Sequence, residues 1–330
     1  MRKLINDVDA FVDEVLDSIL LAHPTELLAV PGEARAIIRA DAPGNRVGIV
    51  TGGGSGHLPV FLGYVGPGLC SAAAVGNVFS SPSAEQVLAA TKASDSGRGV
   101  LYLYGNYGGD VMNFGLAADL AEMEGIETTT VLVNDDVLSA PAARMDTRRG
   151  VAGMVLAFKC AGAAAERGDD LSEVTRIANR AVAATRTAGV GLSPTILPAA
   201  GKPTFELPEG YMEIGIGIHG EPGSHRGPLE TADAVTDRLL KAILDDLPPG
   251  SERVVVLVNG LGSTPLEELY LLYRRAHKTL QNHGIEIYRP YIGEYATSLE
   301  MAGASITVMA VDDELRDLID APAASPFFRQ

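Results

Sequence analysis

The chain has 330 residues, of which 46% are hydrophobic and 21% charged. That is close to the globular average, which excludes disordered and low-complexity classes and leaves material for about two domains. A formal net charge of -16 argues against nucleic acid as a partner, because phosphate binding rests on clustered Lys and Arg. The opening MRKLINDVDAFVDE meets acidic residues too early for a signal peptide, and no apolar run reaches membrane-span length. The expectation is a cytoplasmic protein with no membrane segment. Cys70 and Cys160 stand apart in apolar surroundings and read as buried free thiols.

In chain order, apolar residues from Leu4 to Ile19 recur at helical spacing and predict an opening amphipathic helix. Short apolar runs then alternate with helical patterns. The runs are RVGIV, GVLYLY at 99–104 and TTTVLV at 128–133, and the helices are SAEQVLAATKA and NFGLAADLAEMEG. This βα rhythm predicts a mostly parallel sheet with helices on its faces. An Ala-rich helical stretch covers 151–187, after which Gly and Pro become dense, so the domains are expected at 1–187 and 188–330. The second set comprises strand MEIGIGI at 212–218, a helix around 231–244, strand RVVVLVNGLG, a helix at 265–277 and a final strand ASITVMAV. The fold class expected is two α/β domains with largely parallel or mixed sheets flanked by helices.

Two glycine-rich loops stand out, TGGGSGH after Val50 and GNYGGD after Tyr104. The first lacks the Lys of a P-loop and the spacing of a dinucleotide fingerprint. Ligands of open α/β sheets bind beyond the carboxyl ends of strands, so His57 and Asp110 are expected at one site. Of the six histidines, His23, His277 and His283 read as helix-end residues and His225 as part of a polar loop. His219 follows MEIGIGI, where alternating glycines admit a ligand or a neighbouring strand. Two histidines and an aspartate on strand-end loops suit acid-base chemistry on a small polar substrate. No HExxH, CxxC or GxSxG pattern occurs, so metal and serine hydrolysis are not expected.

GGGSGH, GNYGGDVMNFGLAA, RRGVAGMVLAFKCAGAAAE, GKPTFELPEG, GIGIHGEPG and LVNGLGSTPLEELY together closely resemble the dihydroxyacetone kinase substrate-binding subunit family, in order along nearly the whole chain. The resemblance implies a homodimeric two-domain α/β subunit that binds a short ketose covalently. His219 would add through Nε2 to the ketone carbonyl as a hemiaminal, which rejects polyols that have no electrophilic carbon. His57 and Asp110 would be polar partners that assist deprotonation of the attacking hydroxyl, with His57 favoured as the base. Gly54, Ser55, Gly56 and Gly105 would line the substrate. The resemblance puts ATP/ADP with Mg on a separate nucleotide-binding kinase subunit, with phosphate coming from ATP or from a phosphoenolpyruvate relay. No cofactor or metal is expected on this chain.

The chain departs from the family in two places. Usual members read GGGSGHEPAHAGYVG where this chain has GGGSGHLPVFLGYVG, and a substrate-touching lysine in VKNYTGD is replaced by Gly105, with Gly108 in place of the threonine. These changes are expected to alter the pocket wall and to favour a four-carbon ketose such as erythrulose, with dihydroxyacetone as the other choice. A non-catalytic sugar-sensing regulator of the same fold is the alternative. A lipid-carrier-like protein is a third reading, suggested by the apolar LPVFL.

Overall fold

The computed structural model describes residues 3–41 and 43–330. The chain forms two compact units, one of residues up to Val133 with Val155–Ala181 and Asp317–Gln330, the other of Asn134–Met154 and Val182–Arg316. A sequence split near 188 crosses once, whereas the chain itself crosses repeatedly, and backbone pairing is the reason. Thr187 N donates to Asp135 O at 2.8 Å and Val137 N to Thr187 O at 3.0 Å, which ties residues 134–154 into the second unit. At the other end Ala324 N donates to Pro67 O at 2.9 Å, and Ser325 Oγ donates to Gly63 O at 2.6 Å, which returns the C-terminal residues to the first.

The first unit opens with α1 (Phe11–Ala22). Its helix begins later than Leu4 because the Asp7 carboxylate accepts from the amides of Asp9 and Ala10, at 2.7 and 3.2 Å, and so holds a turn just before it. The six-stranded sheet comprises β1 (Leu27–Val30), β2 (Glu33–Arg39), β3 (Gly48–Ser55), β4 (Ala72–Val78), β5 (Val100–Gly105) and β6 (Thr128–Val133), in the order β1-β2-β4-β3-β5-β6. Strands β4, β3, β5 and β6 run parallel, while β1–β2 and β2–β4 pair antiparallel. The sheet is therefore mostly parallel, as the βα rhythm predicted, with an antiparallel β1–β2 edge that makes it mixed. Strand β4 carries no period-2 signal, since its small residues are buried on both faces, and β1 is only four residues long.

Helices α2 (Ala84–Ser94) and α3 (Gly108–Met123) cover one face of this sheet. Val87, Ala90, Phe114 and Ala117 meet Ala36, Val50, Ala72, Ala74 and Tyr102 there. A capping box starts α2, with Gln86 N donating to Ser83 Oγ at 3.3 Å and Ser83 N to Gln86 Oε1 at 2.8 Å. On the opposite face α1 packs Val12 and Leu16 on Ile37, Leu62, Ala73 and Val75. The Ala-rich stretch resolves into α4 (Met154–Arg167) and α5 (Leu171–Ala183). Cys70 and Cys160 are buried free thiols as expected, and burial pushes the Cys160 thiol up to about 12.

The second unit holds β7 (Thr185–Ser193), β8 (Tyr211–Ile214), β9 (His225–Pro228), β10 (Arg253–Gly260), β11 (Glu286–Gly293) and β12 (Ala302–Ala310), in the order β11-β10-β12-β7-β8-β9. Only β10–β11, joined through α7 (Leu266–Asn282), pairs parallel. The other four pairings are antiparallel. Helix α6 (Ala232–Asp246) and α7 bury Leu239, Ile243, Leu272 and Leu280 on Val254, Val256, Ile306 and Val308. Residues 278–282 continue α7 because Leu280 joins this core, so His277 lies inside the helix and His283 caps it; His225 opens β9. Among the described residues no helix is long and apolar enough to cross a membrane.

A buried ion cluster fixes the C-terminal end of α6. Arg148, 1% exposed, donates to both Asp246 carboxylate oxygens, at 2.8 and 2.6 Å, and Arg186 Nε donates to the same side chain. Removing the acid strands two guanidinium groups out of water. Asp246→Ala is therefore expected to cost about 3–5 kcal/mol, read as a lowered urea midpoint at unchanged slope; a shift of a few tenths would contradict this.

Candidate active site

Strand β3 does not stop at Val50. It continues through the glycines to Ser55, because Gly52, Gly53 and Gly54 pair in parallel with Ala74, Val75 and Gly76 of β4. The glycines are required by what lies beside them. A Cβ at Gly53 would sit 2.4 Å from the Phe61 ring, and one at Gly54 would sit 2.6 Å from Ser80 N. Ser55 Oγ donates to Gly76 O at 3.0 Å and closes the strand end. Gly56 then turns with φ +100 and delivers His57.

His57 is 1% exposed and lies between two aromatic rings. Phe79 stacks on it at 4.7 Å with planes 8° apart, and Phe61 meets it edge-on at 6.3 Å and 80°. Both phenylalanines have left-handed backbone, φ 68 at Phe61 and φ 55 at Phe79. Such a residue costs about 1–3 kcal/mol and collects at functional sites. Of the residues that depart from the family, Phe61 thus touches the histidine, whereas Leu58 and Leu62 pack on the α1 core. Leu62 is buried in that core and Leu58 is partly buried against it.

The second loop follows β5, which is adjacent and parallel to β3, so the carboxyl ends of both open on the same edge of the sheet. Gly105 ends β5, and Tyr107 N returns to its carbonyl at 2.9 Å before α3 begins. Asp110 lies buried in the first turn of α3, where the helix dipole favours a carboxylate. Burial raises the Tyr104 hydroxyl first, and the neighbouring Asp110 charge raises it further. The structure therefore brings His57 and Asp110 to one sheet edge, as the loops predicted.

His219 belongs to the second unit. Strand β8 ends at Ile214 and not at Ile218: Gly215 still donates its amide to Gly189 O of β7 at 2.7 Å, but its φ of +83 turns the chain out of the sheet. The GIGI alternation is consequently a loop, with Ile216 and Ile218 buried as its anchors. Ser298 Oγ donates to the Ile218 carbonyl. The next residue, Leu299, is another left-handed one, φ 50. Gly220 accommodates the GKPTFEL segment, since a Cβ there would sit 2.8 Å from Thr204. The His219 side chain is 25% exposed, which leaves it accessible in a way His57 is not.

Three charged groups behind His219 were not singled out from the sequence. Glu221 accepts from His219 N at 3.0 Å and approaches Nδ1 of its ring at 2.9 Å through the other oxygen. Arg149 comes within 3.9 Å of the Glu221 carboxylate, donates to Asp136 Oδ2 at 3.0 and 2.7 Å, and donates to Gly215 O at 2.9 Å. Gly217 makes room for this pair: its Cβ would sit 2.0 Å from Glu221 Oε2 and 2.5 Å from Arg149 Nη1. Burial alone raises the Glu221 carboxyl, but the His219 hydrogen bond and charge, an amide of its own loop and Arg149 together hold it down at about 2. Asp136 goes the other way, pushed by burial up to about 6 against the pull of Arg149. Glu221 was legible in HGEPG, two residues from the histidine, whereas Arg149 and Asp136 lie too far away in sequence to be paired with it.

Two α/β units with mixed six-stranded sheets and these loops define a Dak1 domain, whose family model matches residues 17–327. The chain belongs to the dihydroxyacetone kinase substrate-binding subunit family. It is 46% identical, over 100% of its length and 99% of the relative, to the dihydroxyacetone-binding subunit DhaK of PTS-dependent dihydroxyacetone kinase 2 from Listeria innocua. It is equally 46% identical to the D-erythrulose kinase of Mycolicibacterium smegmatis, covering 100% of this chain and 57% of that one. Among solved structures, the dihydroxyacetone kinase operon co-activator Dha-DhaQ superposes with a TM-score of 0.89 at 31% identity, covering 98% of both chains.

The raised Asp136 carboxyl has a definite consequence for stability. Its contribution is fully present below its ordinary 3.8 and is lost as pH rises through about 6. Asp136→Asn is expected to flatten the pH dependence of the urea midpoint across that window; an unchanged slope would contradict the assignment.

Proposed function

We propose that the chain is the ketose-binding subunit of a dihydroxyacetone-type kinase, holding its substrate on His219 and acting with a nucleotide-carrying partner. Full-length similarity to a dihydroxyacetone-binding subunit carries the reading. The accessible His219 in GIHGEPG supports it. Nε2 adds to the ketone carbonyl, the carbonyl electron pair moves to oxygen, and that oxygen is protonated to a hemiaminal. Holding the ketose covalently converts the following phosphoryl transfer into a positioned step.

His57 is proposed as the base for the attacking hydroxyl and Asp110 as its orienting partner. Gly54, Ser55, Gly56 and Gly105 are proposed to line the ketose. The phosphate would come through the partner, either from ATP with Mg or through a phosphoenolpyruvate relay, and the name of the Listeria relative favours the relay. The subunit is proposed to be a homodimer. A four-carbon ketose is proposed as substrate, supported by the identity to an erythrulose kinase and by Phe61 beside His57. The co-activator with the same fold supports a second reading, a sugar sensor that transfers no phosphate.

With a ketose carrying carbon-13 at the carbonyl, a tetrahedral carbon signal is expected from the unsubstituted chain and not from His219→Ala. Phosphoryl transfer on adding the partner subunit separates kinase from sensor. His57→Asn is expected to lose turnover more than Asp110→Asn and to remove the acidic limb of the pH-rate profile, because a base must be unprotonated to act, and retained turnover in His57→Asn sinks its role as base. In competition, erythrulose is expected to outcompete dihydroxyacetone; a strong preference for dihydroxyacetone defeats the larger-sugar proposal.

A further inference from the structure

We infer that Glu221, braced by Arg149, is a positioning residue that fixes the tautomer of His219 and carries the counter-charge of its adduct. The inference rests on the reading of His219 as the ketose-binding nucleophile. An ionised carboxylate only accepts hydrogen bonds. Glu221 Oε1 faces Nδ1 at 2.9 Å, so Nδ1 carries the proton and donates it. In a neutral ring the lone pair then belongs to Nε2. Free imidazole side chains prefer the opposite tautomer, with the proton on Nε2, where no lone pair is left to attack a carbonyl.

Glu221 is held from three sides. Its second oxygen accepts the His219 amide at 3.0 Å, its own carbonyl accepts Gly217 N at 3.0 Å, and Arg149 lies 3.9 Å from the carboxylate. Arg149 is itself fastened to Asp136 and to Gly215 O, so the guanidinium links the turn that begins the loop to the acid that ends it. The carboxyl held at about 2 agrees with an ionised acceptor throughout the neutral range.

The chemistry of the adduct calls for the same charge. When the Nε2 lone pair forms the N–C bond, the carbonyl π pair moves to oxygen, which takes a proton from solvent water. The ring keeps its Nδ1 proton and becomes cationic. Glu221 then faces an imidazolium, and the hydrogen bond becomes charge-assisted on both sides. The carboxylate therefore matters more in the adduct than in the free ring.

The test uses the full chain labelled with nitrogen-15 histidine, without ketose, and reads the His219 tautomer from long-range proton–nitrogen correlations. The Nδ1–H form is expected in the unsubstituted chain. Glu221→Ala, and Gly217→Ala, whose methyl group would occupy the carboxylate position, are both expected to move His219 to the Nε2–H form. Glu221→Gln keeps an acceptor but no charge; it is expected to preserve the tautomer while weakening the carbon-13 ketose adduct about tenfold to a hundredfold and altering its pH profile. An Nε2–H ring in the unsubstituted chain, or an unchanged tautomer in Glu221→Ala, overturns the inference. A Gln variant with an unaltered adduct constant and pH profile overturns the counter-charge role. If the unsubstituted chain forms no tetrahedral adduct, the covalent reading fails separately, and the tautomer in the free chain still decides for or against Glu221.

Discussion

At both loop sets the space of a missing Cβ is occupied by the group that holds a histidine. The Phe61 ring lies over Gly53 and meets His57, while the Glu221 carboxylate and the Arg149 guanidinium lie over Gly217 and meet His219. Any side chain at either glycine displaces the group that supports the histidine. Glycine-rich motifs in α/β proteins are commonly understood as room for a ligand's phosphate. Here much of the room is taken by the chain's own residues, and the cost of glycine in a strand is offset by the rigidity of the side chains packed against it.

The two histidines are held by different physics. His57 has almost no water contact and is clamped between aromatic rings whose backbones are themselves left-handed. Aromatic rings pack against it on two sides. His219 is partly exposed, and a carboxylate, a guanidinium and a second buried acid hold it by charge. The acids at 221 and 136 share Arg149 yet shift in opposite directions. Glu221 gains enough hydrogen bonds to outweigh its burial, and Asp136 does not. Such divergence between neighbouring acids is typical of functional sites.

The expectations from sequence failed where pairing partners are distant. Strand β4 went unassigned because an Ala-rich segment buried on both faces shows little alternation, and β1 and β2 because they are short or carry charged residues among partly exposed positions. MEIGIGI alternates like a strand, but Gly215 at φ +83 turns the chain out of the sheet. In the apolar LPVFL, Leu58 and Leu62 pack on the α1 core and Phe61 on His57, partners that the local sequence did not indicate. Each error came from judging a residue by its neighbours in sequence when its contacts come from another element.

Local chemistry settled a good deal by itself. Helical spacing located the main helices, apolar runs located β5, β6, β10 and β12, and polar glycine-rich loops at strand ends marked His57, Asp110 and His219. Motif order along the chain also sufficed to recognise the family. Those features depend on residues within one turn or one strand, where spacing is itself the physical signal. Tertiary structure alone decided that Glu221 meets the histidine ring through Nδ1, that Arg149 joins it to Asp136, and that Phe79 completes the clamp on His57. The Arg149 and Phe79 contacts join segments that are separated in sequence, and the Nδ1 contact depends on how the loop folds, so no local pattern of charge or periodicity encodes them.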